Sequence, residues 1–214
     1  MAPTVTDDLE LILAGNGGGT DLPAGGGGGD GDRPGGSRRV PQRAYFTLVQ
    51  LLLAAIVMFF MALTSSYIVR KGLGTDWQQT PLPPILWFNT VILLGSSVTI
   101  HLARRRERAA FRPWWALTIV LGLTFLGGQL VAWKQLAAAG LFLDTNPSSS
   151  FFYLLTAAHG LHFAGGIFAL FYVAFRDWRR SRITQATAAD LAAIYWHFMD
   201  GLWVFLFALL TLGR

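Results

Sequence analysis

The chain contains no cysteine. That excludes disulfides, iron–sulfur clusters, thiolate zinc sites and thiol catalysis. Charge is scarce as well: Asp, Glu, Lys and Arg make up 14% of 214 residues, where soluble domains carry about 25%. The charges are segregated, and long stretches carry none, which is incompatible with a charged globular surface. The first 40 residues hold no long apolar run behind a basic start, so they do not read as a signal peptide. They carry a glycine run at Gly25 to Gly29 and too little apolar surface to offset the entropy of ordering. Residues 1–40 are expected to form a disordered glycine-rich tail, and 41–214 a single membrane domain.

What is abundant is apolar sequence, 53% of the chain. A helix crossing the hydrocarbon core needs about 20 mostly apolar residues. Five stretches qualify: Phe46 to Val69, Pro84 to Leu102, Trp114 to Lys134, Phe151 to Phe175 and Asp190 to Leu212. Pro81, Pro83 and Pro84 precede the second, Pro113 opens the third, and Asp144 to Pro147 separates the third from the fourth. Proline suits a helix start, where its missing N–H would be unpaired in any case. The predicted fold is an all-α bundle of five transmembrane helices.

Basic residues set the direction. Thirteen of the 17 lysines and arginines fall in the tail, the second-to-third loop and the fourth-to-fifth loop. The other side receives Arg70, Lys71, Lys134 and Arg214. Positively charged loops stay in the cytoplasm. The expected topology therefore has a cytoplasmic N-terminus and a C-terminus on the outer side of the membrane. The same basic runs are topology signals able to touch anionic lipid. No basic groove with interleaved aromatics exists to bind nucleic acid. Trp77, Trp87, Trp114, Trp115 and Trp178 lie near span ends, as interfacial tryptophans do.

Asp200 is the one carboxylate near the middle of a span. A charge there costs about 2.5–3.5 kcal/mol, so it must be neutral or paired. His197 lies one turn away on the same helix, and His159 and His162 lie three apart on the fourth span. At about 1.5 Å per residue, His162 and Asp200 sit at a similar depth, roughly 17 Å below the outer helix ends. A polar cluster of His159, His162, His197 and Asp200 between the last two helices is expected, with a direct Asp200–histidine bond as the hypothesis. Gly160 with Ala164, and Gly165 with Ala169, have the small-x-x-x-small spacing that favours close helix packing in lipid. Ser65, Ser66, Asn89, Ser96, Ser97 and Gln129 read as interhelical hydrogen-bonding groups.

Metal chemistry finds little support. His159 and His162 share one helix and cannot be trans ligands of one heme. Met58 and Met61 suit copper chemically, but core packing is their ordinary use. One buried carboxylate does not make a proton path. The residues by themselves describe a non-catalytic membrane bundle.

Two motifs go further. His159-Gly160-Leu161-His162-Phe163-Ala164-Gly165-Gly166, and Tyr195-Trp196-His197-Phe198-Met199-Asp200 followed by Trp203 and Phe205-Leu206-Phe207, resemble the signatures of subunit III of heme-copper respiratory oxidases. Asn89 to Leu94, Ser96 to Thr99 and Val57 to Phe60 resemble further segments of that family, in the right order, over about Phe46 to Leu212. The chain resembles the short five-span form. It departs from the family where glutamates are usual, with Ile56 before the Val57-Met58-Phe59-Phe60 run and Ala132 three residues after Gln129. Those carboxylates are associated with proton uptake and lipid contact in the family.

The resemblance implies a supporting subunit of a cytochrome c oxidase in the aerobic electron transport chain of a bacterial inner membrane, with the C-terminus periplasmic. Such a subunit holds no heme or copper itself; both belong to partner subunits. It packs against subunit I, with subunit II nearby, and holds phospholipid between its helices, through which oxygen is expected to reach subunit I. His101 and Arg104 end the second span and are candidates to meet lipid phosphate. A quinol oxidase or nitric oxide reductase accessory subunit is the neighbouring reading. A small transporter would show inverted repeats or interrupted helices, and neither is visible. A heme-binding cytochrome would give the isolated chain a Soret band.

Overall fold

A computed structural model describes residues 42–74, 77, 81–105, 108–143, 145–176 and 182–212. The glycine-rich tail and Trp178 lie outside these residues. The described chain forms five helices: α1 (Gln42–Leu73), α2 (Ile85–Arg105), α3 (Arg108–Ala138), α4 (Pro147–Arg176) and α5 (Arg182–Leu212). No strand occurs among the described residues. All five helices are long and apolar enough to span a membrane. With 32 residues at about 1.5 Å each, α1 exceeds a hydrocarbon core of about 30 Å, so its ends reach past the apolar layer.

Local chemistry explains the ends. Gly74 N–H closes the last turn of α1 onto the Arg70 carbonyl at 3.0 Å. The α3 terminus is a Schellman motif: Gly140 adopts φ +75°, Leu141 N–H reaches the Leu136 carbonyl at 3.0 Å, and Gly140 N–H reaches that of Ala137. Asn146 caps α4, its Oδ1 accepting the Ser149 N–H at 2.8 Å, and Pro147 occupies the first helical position. The turn between α3 and α4 is stitched by side chains. Ser149 Oγ–H donates to the Phe142 carbonyl, Ser150 Oγ–H to that of Leu143, and Tyr153 O–H to that of Leu141.

Two starts differ from the sequence expectation. Pro113 does not open α3 but lies inside it, since the helix begins at Arg108. The fifth helix begins at Arg182 rather than Asp190. Both extensions carry polar or charged residues, which a hydropathy criterion discards although they are compatible with a helix outside the lipid.

Helices α2, α3, α4 and α5 close a ring, in which α2 contacts α3, α3 contacts α4, α4 contacts α5, and α5 returns to α2. Helix α1 packs outside this ring, against α4 and α5. It docks through Ile56, Phe60, Thr64 and Tyr67, spaced three or four residues apart on one face. Outside that face Leu48, Leu51, Met58, Met61 and Ile68 are exposed. The ring core is aromatic, with Trp115, Phe125, Phe152, Phe163, Trp196 and Trp203 almost wholly buried.

Candidate functional site

The two motif-bearing helices meet through large residues on one and small residues on the other. Trp196 of α5 is fully buried, and its ring lies 4.7 Å from that of Phe163 on α4. A Cβ built at Gly122 of α3 would lie 2.6 Å from Trp196 Cη2. One at Gly166 of α4 would lie 3.1 Å from Tyr195 Cε1. Tyr195 O–H also donates to the His162 carbonyl at 2.8 Å. The close approach thus falls on Gly166 and Gly122. A Cβ at Gly160 would meet nothing within 4 Å, and one at Gly165 only Tyr195 Oη at 3.8 Å. Gly165 is exposed, while Gly160, Ala164 and Ala169 are only part-buried. The tight contacts of α4 with α5 therefore fall at Gly166 rather than at Gly160 or Gly165, because a run of small residues does not say which side is occupied.

Tryptophan N–H groups supply much of the polar glue. Trp196 Nε1–H donates to Ser96 Oγ and Trp203 Nε1–H to Thr90 Oγ1, both at 3.0 Å and both joining α5 to α2. Trp133 Nε1–H reaches Thr156 Oγ1, and Trp115 Nε1–H the Leu170 carbonyl. Trp115 is therefore a core residue with its N–H satisfied across the α3–α4 contact, not a member of an interfacial belt. Trp87, exposed, keeps the character of one. Asn89 and Gln129 are buried, yet the Asn89 amide nitrogen and both Gln129 amide atoms find no partner among the described residues. Ser65 and Ser66 are exposed.

The four expected cluster residues separate into different environments. His159 is completely buried, its ring 5.3 Å from Trp203, 5.8 Å from Phe163 and 6.1 Å from Phe125, with neither nitrogen hydrogen-bonded. His162 turns toward α1, where its ring lies 5.9 Å from Phe59 and 5.7 Å from Phe60, and its Nδ1 bonds the Ala158 carbonyl. His197 turns toward α2, its Nδ1 bonding Ser97 Oγ at 2.7 Å. Asp200 is 3% exposed, and neither carboxyl oxygen finds a hydrogen-bond partner among the described residues. The direct Asp200–histidine bond does not form. A depth expected from counting residues along a span does not fix the direction in which a side chain faces.

The polar site that does form lies on the α2–α5 seam. Ser97, His101 and Arg104 recur on one face of α2, and Asp190, His197 and Asp200 on one face of α5. At its end Arg104 Nη2 and Nε reach Asp190 Oδ1 at 2.7 and 3.0 Å. Arg104 is thus paired with a carboxylate, and His101 is exposed. With both partners about one-third exposed or more, the pair is screened by solvent. In a double-mutant cycle of Arg104→Ala with Asp190→Ala, the coupling read from thermal unfolding in detergent is expected below about 1 kcal/mol, and smaller in high salt.

At the two family positions that usually hold glutamate, Ile56 is buried on the face by which α1 docks, and Ala132 is buried in the ring. No group of three or more metal-ligating side chains converges among the described residues.

The family model for cytochrome c oxidase subunit III matches residues 44–212. The chain belongs to this family. The matched span takes in all of α2 to α5 and most of α1. A protein of Mycobacterium tuberculosis (strain ATCC 25618 / H37Rv), named probable cytochrome c oxidase subunit 3, is 33% identical over 172 residues, covering 76% of this chain and 84% of its own length. Cytochrome c oxidase subunit 3 of Thermostichus vulcanus is 33% identical over 162 residues, with 72% and 79% covered. That of Corynebacterium diphtheriae is 34% identical over 163 residues, with 71% and 79% covered. Five spans and bacterial subunit III relatives describe a multi-pass protein of the plasma membrane, a subunit of a heme-copper oxidase and hence part of a complex with other oxidase subunits.

Proposed function

We propose that this subunit III is a non-catalytic scaffold that packs against the heme- and copper-bearing subunit I, with subunit II in the same complex. In this reading it holds phospholipid and supports oxygen reduction by its partner. The single observation that carries it is the family match over 44–212. A second supports the lipid part. Between α1 and α5 runs an apolar groove of about 310 Å³, lined by Val57, Phe60, Met61, Phe198, Leu202 and Phe205. It is the kind of surface an acyl chain fills, since lipid tails and these side chains are equally apolar.

Heme and copper then belong to the partner subunits, and this chain's contribution is to position helices and lipid. The basic-residue asymmetry supports a cytoplasmic N-terminus and a periplasmic C-terminus. Ile56 and Ala132 supply no carboxylate for proton uptake at the usual places, so any proton role must use other residues.

The test is purification of the tagged chain in mild detergent. Mass spectrometry is expected to find subunits I and II. A visible spectrum of the complex should show heme, and the chain separated from them should show none. Recovery with a different membrane complex, or iron or copper retained by the separated chain, would overturn the reading. Phosphorus analysis of the washed complex checks the lipid.

A further inference from the structure

Where α3 turns into α4 the bundle carries another groove, of about 460 Å³, separate from the one between α1 and α5. Leu130, Trp133 and Ala137 line it from α3, Phe142 and Leu143 from the turn, and Tyr153 from α4. The turn is held by the Ser149, Ser150 and Tyr153 hydrogen bonds to its carbonyls, so the groove is preformed. The Trp133 and Tyr153 rings pack edge to face at 5.8 Å. Their polar tips are already bonded, Trp133 N–H to Thr156 Oγ1 and Tyr153 O–H to the Leu141 carbonyl, which leaves carbon surface to the groove. Leu130, Phe142 and Leu143 are each more than half exposed, and apolar side chains clustered in this way call for an apolar cover.

Among the described residues Lys134 is the one charged side chain in the lining. It is exposed and makes no ion pair among the described residues. It lies one turn before the end of α3, where a lysine stem runs along apolar surface and carries its ammonium to the level of the lipid phosphates. The described lining of the α1–α5 groove holds no charged residue.

The structure assigns the α3–α4 groove to an anionic phospholipid, with one acyl chain against the Trp133 and Tyr153 rings and the phosphate on Lys134. A soluble anion would leave the carbon surface uncovered. An uncharged apolar occupant would leave the ammonium without a counter-charge. A zwitterionic lipid brings its own cation beside its phosphate, so it gains less from Lys134 than a lipid of net negative charge. The site rests on the reading of this chain as a lipid-holding subunit, and differs from the α1–α5 groove in choosing among headgroups.

The full chain in detergent micelles is titrated with phosphatidylglycerol, or with phosphatidylcholine of the same acyl chains, and bound lipids are counted by native mass spectrometry. One phosphatidylglycerol is expected to bind about fivefold more tightly than phosphatidylcholine, the factor that one basic side chain contributes beside anionic lipid. Lys134→Gln, a change at an exposed position, should abolish the preference, and Lys134→Arg should keep it. Ala137→Phe, which fills the groove, should weaken the binding of that lipid. If Ala137→Phe does not fold, a short-chain phosphatidylglycerol makes the same test with the wild-type chain and should bind more weakly than the long-chain lipid. Gly201→Leu fills the α1–α5 groove at a place where a Cβ meets nothing within 4 Å, and should leave the headgroup preference unchanged. Equal binding of the two lipids would overturn the assignment, as it would if Asp144, the nearest acidic residue in sequence, already neutralised Lys134. A preference that survives Lys134→Gln, or a lipid displaced by inorganic phosphate, would overturn it too. Lipid bound without preference would spare the lipid-holding reading, whereas a chain that retains no lipid at all would overturn both.

Discussion

Replacing Trp196 by alanine is expected to destabilise the bundle by about 3–5 kcal/mol, the range for truncating a fully buried large aromatic. The indole lies at the meeting point of α2, α3, α4 and α5. It touches the Gly122 surface, the Phe163 ring and the Gly166 backbone, and donates to Ser96. Within lipid there is no water to drive the helices together, so close packing and interhelical hydrogen bonds carry the association. Alanine leaves a cavity bordered by two glycines, neither of which has a side chain to move into it. The lost N–H costs less, because Ser96 keeps its own bond to the Leu93 carbonyl at 2.7 Å. Trp196→Phe should therefore cost clearly less than alanine. The measurement is unfolding in mixed micelles, read by helicity. A decisive control adds Gly122→Leu. In the wild-type chain this collides with the indole, but with Trp196→Ala it refills part of the cavity. The double variant should be more stable than the sum of the singles requires, with a coupling of about 0.5–3 kcal/mol. Additive effects would mean that the two residues do not share one space.

The five spans were legible in the sequence because the bilayer imposes one strong requirement, a long apolar run, and each helix satisfies it openly. The family followed from two motifs on α4 and α5. The azimuth of each side chain was not legible. A transmembrane helix is apolar all round, so its periodicity does not separate a lipid-facing side from a bundle-facing one. His162 illustrates the loss: residue counting along the spans said nothing of its direction, and it faces α1, a helix more than 80 residues earlier in the chain. The Ser97 partner of His197 was hidden for a related reason, since the α2–α5 contact closes a ring and sequence order does not announce closure. A signal existed. Ser96, Ser97 and Thr99 form a hydroxyl cluster within α2, and Trp196 and His197 present two ring N–H donors or acceptors on α5. Matching the two sets would have pointed to the seam.

Gly128 gives the second large effect and separates packing from hydrogen bonding at Asn89. A side chain at Gly128 would land on the Asn89 amide, which is 1% exposed, so α2 and α3 approach there only because Gly128 has no Cβ. Gly128→Leu is expected to cost about 1–3 kcal/mol or more through overpacking, since backbone and a buried amide must both move. Asn89→Ala alone should be mild: the amide nitrogen has no partner among the described residues, so its removal forfeits little hydrogen bonding. In the double variant, alanine at position 89 opens the space that the new side chain needs. Most of the stability lost in Gly128→Leu should then return, read again by unfolding in micelles. If Asn89 were instead an essential hydrogen-bonding bridge, the single Asn89→Ala would itself be severe and the double variant worse than either. The sign of the coupling thus decides whether the polar residue holds α2 and α3 together or merely occupies the space that a glycine leaves for it.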